Sequence, residues 1–259
     1  MTYTTIAIVD HGRIRTITLR RPERRNAMTP EMQHELIAAL EDTAASSARV
    51  LVLTGAGDAF CSGLDLSSLR QMNDKSSADH RTEAERIAQL FVTLYELPIP
   101  TIAAVHGPAI AGGAGLALIC DFAIATYEAK FGFTEVRIGF VPALVSAFLT
   151  LETGGKHIRD LLLTGRIINA GEAYRLGLVN EVVSQVELDA RVQALADVLI
   201  ANSPQSLAAT KRLLITENKE RLDSAIAAAL KENARSRETA DFREGVAAFL
   251  EKRKPNWTR

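Results

Sequence analysis

Apolar residues in the first two-thirds of the chain fall in short runs, separated by stretches with helical spacing. Residues 14–19 alternate partly at period two and include several β-branched side chains, which predicts a strand ended by Pro22. Thr29 and Pro30 have the form of an N-cap and a first helical position, because proline tolerates the donor-free first turn and presets φ there. Met32, Leu36, Ala39 and Leu40 then share one face of the predicted helix. Residues 50–54 form a short apolar run, the pattern of a strand covered on both faces, and it stops at Gly55-Ala56-Gly57. The scheme recurs. Residues 102–105 predict a strand, 107–113 a loop, 114–119 the start of a helix and 122–125 another strand, while apolar residues at 161–163 and 178–183 bracket a predicted helix over 170–176. This alternation predicts an α/β fold without the strict short period of a solenoid.

Past residue 185 the pattern is helical only. Residues 188–200 read as a helix, Ser203-Pro204 repeats the cap-and-proline start, and 222–233 and 242–252 are amphipathic and rich in Ala, Glu, Lys and Arg. The chain thus divides into a core over residues 1–185 and a helical region over 186–259. The Ala- and Leu-bearing faces of that region suit packing on the core or on another subunit.

Composition narrows the class. With 259 residues, 47% hydrophobic and 24% charged, the chain is neither disordered, nor collagen-like, nor a disulfide scaffold. A formal charge of −1 gives no electrostatic reason to expect a nucleic-acid or membrane partner. Residues 98–120 carry no Asp, Glu, Lys or Arg, but Pro98, Pro100, Pro108 and several glycines break them too often for a spanning helix, so strand, loop and helix are expected instead. Residues 1–8 lack the basic start and long apolar stretch of a secretory leader. Cys61 and Cys120 form neither a framework nor a metal spacing, which predicts reduced thiols and a cytoplasmic location. His11, His34, His80, His106 and His157 are scattered without ligand spacing, so no metal is expected.

Three places can carry chemistry. A strand followed by Gly55-x-Gly57 has the start of a dinucleotide fingerprint, but its third glycine falls at Phe60 and that reading fails. Cys61-Ser62-Gly63-Leu64-Asp65-Leu66 and Ala111-Gly112-Gly113-Ala114 both place glycine at a predicted helix start. First-turn amides have no intrahelical partner and carry the positive end of the helix dipole. Two of them converging on one point form an oxyanion hole, worth on the order of 3 kcal/mol per donor in a dry site. Spacing alone favours the alternative, glycines that merely ease tight turns. Glu135 is the only carboxylate between Lys130 and Val136, and desolvation among Phe131 and Phe133 raises a carboxyl toward neutral pH. An outward-facing strand glutamate is the alternative.

Taken together, several segments resemble the enoyl-CoA hydratase/isomerase (crotonase) family: Arg25-Asn26-Ala27-Met28, the stretch from Asp58 to Leu66, Gly107-Pro108-Ala109-Ile110-Ala111-Gly112-Gly113 with Asp121, Ala170 to Val179, and the ending Phe249-Leu250-Glu251-Lys252-Arg253-Lys254. They run in family order from about residue 12 to 256. The resemblance implies a spiral of repeated ββα turns, with a helical C-terminal region used for trimer formation and closure of the coenzyme A pocket. It implies that the N–H groups of Leu64 and Gly112 hold the thioester oxygen of an acyl-CoA and that Glu135 is a catalytic glutamate. Arg25 then lies near the coenzyme A phosphates, Ala27, Ser62, Asp65 and Leu66 belong to the same binding segment, and Phe249 and Lys252 match a C-terminal contact often supplied by a neighbouring subunit. Coenzyme A enters as part of the substrate, with no further cofactor, and a homotrimer or homohexamer is expected.

One departure matters. Family hydratases use two glutamates, and Gly115 stands at the first position. Overall likeness implies hydration of a 2-enoyl-CoA; Gly115 leaves open isomerisation of a 3-enoyl-CoA by Glu135 alone, and a non-catalytic acyl-CoA-binding protein is the alternative from another class. The dehalogenase variant needs an aspartate where Ala143 stands and is disfavoured. Pocket walls are expected from loops such as residues 69–82.

Overall fold

The computed structural model describes residues 3–65 and 76–257. Strands β1 (Ile6–His11) and β2 (Ile14–Leu19) form an antiparallel hairpin, and a 3-10 turn, Pro22–Arg24, leads to helix α1 (Pro30–Ala45). Thr29 caps α1 by accepting from the Met32 N–H at 3.2 Å, and Met32, Leu36, Ala39 and Leu40 are buried, as the spacing predicts. There follow β3 (Val50–Gly55), α2 (Ser77–Tyr95), β4 (Thr101–Val105), β5 (Ala109–Ile110), α3 (Gly112–Ile119), β6 (Phe122–Thr126) and β7 (Lys130–Gly132). A second 3-10 turn, Glu135–Ile138, precedes α4 (Ala143–Glu152), α5 (Gly155–Thr164), β8 (Ile167–Asn169), α6 (Ala170–Arg175) and β9 (Glu181–Val183). Helices α7 (Leu188–Ala201), α8 (Pro204–Arg237) and α9 (Ala240–Leu250) complete the described chain.

The main sheet has the order β1-β2-β3-β4-β6-β9, parallel throughout except for the first hairpin. A smaller sheet has the order β5-β7-β8. Both faces of the main sheet are covered, which is why its strands are apolar without alternation. Leu51 and Leu53 enter the main core, whereas Val50 and Val52 join Ile102, Ala104 and Ile124 against Leu188, Val192, Ala196 and Leu199 of α7. Asp121 ties the layers together: its Oδ2 accepts from Thr101 N–H at 2.8 Å and from Lys211 Nζ on α8 at 2.6 Å.

The sequence reading needs adjustment at four places. Residues 107–113 are not all loop, because β5 pairs with β7 and α3 already starts at Gly112. Residues 161–163 lie in α5. The helices expected after Pro204 and over 222–233 are one 34-residue helix, since neither Gly nor Pro interrupts 205–237. The last helix stops at Leu250, and Lys252 follows with φ +54°. Among the described residues no helix is long and apolar enough to cross a membrane.

Candidate functional site

Two isolated parallel bridges bring the glycine turns together. Cys61 pairs with Ala109, its N–H donating to Pro108 O and its carbonyl accepting from Ile110 N–H. Met28 pairs with Leu64 through Met28 N–H to Gly63 O at 2.8 Å and Asp65 N–H to Met28 O at 3.0 Å. In a parallel ladder the flanking residues supply both bonds, so the facing residue's own N–H points to the opposite side. Leu64 N–H therefore turns away from Met28, and among the described residues it donates to no backbone partner. Gly112 opens α3, where a first-turn N–H has no intrahelical acceptor and the dipole adds positive potential. The two turns abut: a Cβ built on Gly63 would lie 3.5 Å from Gly112 N.

Backbone strain fixes this approach. Gly63 has φ +86°, and Ala111 has φ 53° and ψ −126° although it carries a side chain. Such a conformation costs on the order of 1–3 kcal/mol. The Ala111 N–H is held by Gly132 O at 2.7 Å, so the β5–β7 pairing sustains the strain and sets the direction of the next amide. At Gly113 a Cβ would fall 2.2 Å from Cys61 O, so only glycine admits the two segments this close.

A cavity of about 480 Å³ opens in front of these amides and is lined by Leu64, Gly112, Phe91, Ile87, Val145 and Glu135 among others. Glu135 is buried in the first turn of its 3-10 segment, and its Oε2 has no hydrogen-bond partner among the described residues. Burial pushes its pKa up to about 7. Gly115 of α3 is crowded by its neighbours: a Cβ there would meet Phe91 Cζ and Val145 Cγ2 at 3.1 Å each. Two amide donors without backbone partners among the described residues and one buried carboxyl thus line a largely apolar chamber.

The profile of the enoyl-CoA hydratase/isomerase family matches residues 10–259. The chain belongs to the enoyl-CoA hydratase/isomerase family. It is 44% identical over 250 residues to a Thermus thermophilus protein named "Putative enoyl-CoA hydratase", covering 96% of this chain and 99% of that one. It is 30% identical to the crotonyl-CoA hydratase of Syntrophomonas wolfei over 99% of both chains. An enoyl-CoA hydratase/isomerase structure from Xanthobacter autotrophicus superposes with a TM-score of 0.90 at 31% identity over the full length of each chain.

In this enoyl-CoA hydratase/isomerase family chain the remaining expected site residues divide. Arg25, Ser62 and Phe249 line the same cavity as Leu64, Gly112 and Glu135. Arg25 adopts φ 51° and closes the first 3-10 turn, its N–H donating to Pro22 O. Ala27 and Asp65 are buried outside the lining, and Asp65 holds an ion pair with Arg21 at 3.0 Å. Lys252 is exposed and also outside it, while Arg253 and Pro255 contribute instead. Leu66 lies outside the described residues, as do residues 69–75 of the loop expected to supply pocket walls. Asn26 was not singled out as a site-builder by spacing, yet it is fully buried at φ 54°, and its Nδ2 donates to Ala56 O and Ala59 O at 2.8 Å each. Its signal was residue type, since asparagine tolerates left-handed backbone and bonds to nearby carbonyls. Among the described residues no cluster of three or more His, Cys, Asp or Glu could hold a metal ion.

Proposed function

We propose that this chain is an enzyme acting on acyl-CoA thioesters and that it hydrates a 2-enoyl-CoA. The reading is carried by one observation: Leu64 and Gly112, whose amides have no backbone partner among the described residues, line the same largely apolar cavity as Glu135, whose Oε2 has no hydrogen-bond partner among them. The amides donate hydrogen bonds to the thioester oxygen and stabilise the charge it gains as the enoyl group becomes enolate-like. Glu135, as carboxylate, removes a proton from water while the water oxygen bonds to C3. The same carboxyl then returns that proton to C2, and the enolate collapses to the thioester. Water's O–H bond breaks, C3–O and C2–H bonds form, and nothing else is consumed. Coenzyme A arrives as part of the substrate, and we assign its phosphates to Arg25, a permanently charged donor that lines the cavity.

A specific observation favours a second reading. Gly115 has no side chain to offer as a second acid–base group, and Phe91 and Val145 crowd the space beside it. Glu135 alone suffices to take a proton from C2 of a 3-enoyl-CoA and return it to C4. Crotonyl-CoA decides between them. Loss of its conjugated absorbance, reduced about a hundredfold to ten-thousandfold in Glu135→Gln, is expected for hydration. Formation of that absorbance from a 3-enoyl-CoA, with crotonyl-CoA untouched, replaces hydration by isomerisation. Tight ester binding without proton exchange at C2 removes both.

We further propose assembly as a homotrimer or homohexamer, for which the exposed Leu213 and Leu214 offer apolar surface, and the buried free thiols Cys61 and Cys120 suit a reducing cytoplasm.

A further inference from the structure

At the end of the cavity away from the paired amides, a polar cluster lies between α2 and α8. Phe91 of α2 marks the amide end, since its Cζ lies 3.9 Å from a Cβ built on Gly112. Ile87 also lines the cavity one turn back along α2, and Glu83 stands a further turn back, roughly 12 Å from Phe91 along the helix axis. At that level Arg237 of α8 reaches across. Its Nη1 meets Glu83 Oε2 at 3.4 Å, its guanidinium stacks 5.4 Å from the Phe140 ring centroid, and its Nε donates to Asn233 Oδ1 at 3.0 Å.

That last bond determines what Asn233 shows the cavity. A guanidinium only donates, so the atom facing Arg237 must be the amide oxygen and the other end must be the NH2 group. Asn233 is 4% exposed, lines the cavity, and its Nδ2 donates to none of the described residues. The amide nitrogen is open to the cavity, so a bound chain that covers it without offering an acceptor strips it of water and leaves it unpaired, whereas an oxygen atom on that chain pairs it. Ile87, Phe140 and Leu144 also line the cavity.

We propose that Asn233 is a specificity-determining residue, and that the preferred acyl-CoA carries a carbonyl or hydroxyl oxygen on its chain, beyond C3, which accepts a hydrogen bond from Asn233 Nδ2. This rests on the acyl-CoA reading above. A plain hydrocarbon tail leaves the donor buried and unpaired; an oxygenated tail satisfies it. Sites built to pair a substrate oxygen discriminate strongly against the analogue that lacks it.

Binding of unreactive saturated esters tests this without relying on turnover. Calorimetric titration of the full-length protein compares octanoyl-CoA with octanoyl-CoA esters bearing one keto group at successive carbons from C5 outward. At least one keto ester is expected to bind about tenfold tighter than the parent. Asn233→Asp keeps the shape and an acceptor for Arg237 but presents an oxygen to the cavity, so the ratio falls to one or below. Asn233→Leu removes the donor outright and brings the ratio to about one. No preference among the wild-type titrations, or a preference that survives both variants, overturns the proposal. Failure of every ester, octanoyl-CoA included, to bind overturns the acyl-CoA reading itself.

Discussion

Glu135, the acid–base group of the proposed reaction, is held at a cost to the fold. Its folded pKa of about 7 lies above the ordinary value of 4.5 because burial disfavours the anion. A raised carboxyl pKa means the folded state binds the proton more tightly than the unfolded chain. The corresponding stability is fully present below about pH 4.5 and is lost as the pH rises through about 7, a loss on the order of 3 kcal/mol. Denaturant melts should therefore show the wild type less stable at pH 8 than at pH 5 by that order, beyond any change from other groups. Glu135→Gln should remove this component and be more stable than wild type at pH 8 while losing activity; equal pH dependence of the two proteins would contradict the burial account. A carboxylate base also predicts that kcat/KM rises with pH through about 7. Much of this was legible beforehand: Phe131 and Phe133, both fully buried, signal an apolar setting for Glu135. The strand alternative was not excluded by pattern, because Glu135–Ile138 has no helical cap, and the turn is set instead by Gly139 at φ +66°.

The elements around Glu135 are locked by glycines whose importance no periodicity reveals. A Cβ on Gly245 of α9 would fall 2.3 Å from Ile138 O, and one on Gly139 would fall 2.2 Å from Asp241 O. Helix α9 thus lies directly on the turn that carries the carboxyl, and Phe140, Phe242 and Val246 fill the seam. Gly245→Ala must push the helix away from the turn, an overpacking change typically costing about 1–3 kcal/mol. Expected outcomes are a lower denaturation midpoint and at least about a tenfold fall in kcat/KM with crotonyl-CoA, because a small displacement of a catalytic group is expensive. Stability lost with undiminished turnover would show that α9 supports the fold without positioning Glu135. Helix α9 could be read from its amphipathic spacing, whereas the turn at Glu135 could not. Their contact could not, since it depends on backbone surfaces meeting across about a hundred residues of chain.

Considered whole, the molecule encloses its chemistry between the parallel-sheet core and its last helices. Phe249 and Arg253 line the same cavity as Leu64, which links the end of the described chain to its first third. The long α8 packs on α4 and α2, yet Leu213 and Leu214 remain 72% and 59% exposed on it, and Val198 of α7 is 61% exposed. Full burial of such side chains is worth about 1.5–3 kcal/mol each, so a second subunit covering them gains stability that the lone chain forgoes. The sequence could show that Ala and Leu faces existed past residue 185 but not which of them the core would use, because packing on the chain itself and on a copy draws on the same apolar pattern. In the fold, Leu222 and Ala229 join the core and the Leu213–Leu214 pair does not. For the homo-oligomer proposed above, Leu213→Glu combined with Leu214→Glu should lower the mass found by light scattering at micromolar concentration. Far-UV circular dichroism should be unchanged, since neither side chain supports the monomer core. A wild type that is itself monomeric would refute the assembly; an unaltered mass in the double variant would place the interface elsewhere and leave these two leucines without a partner.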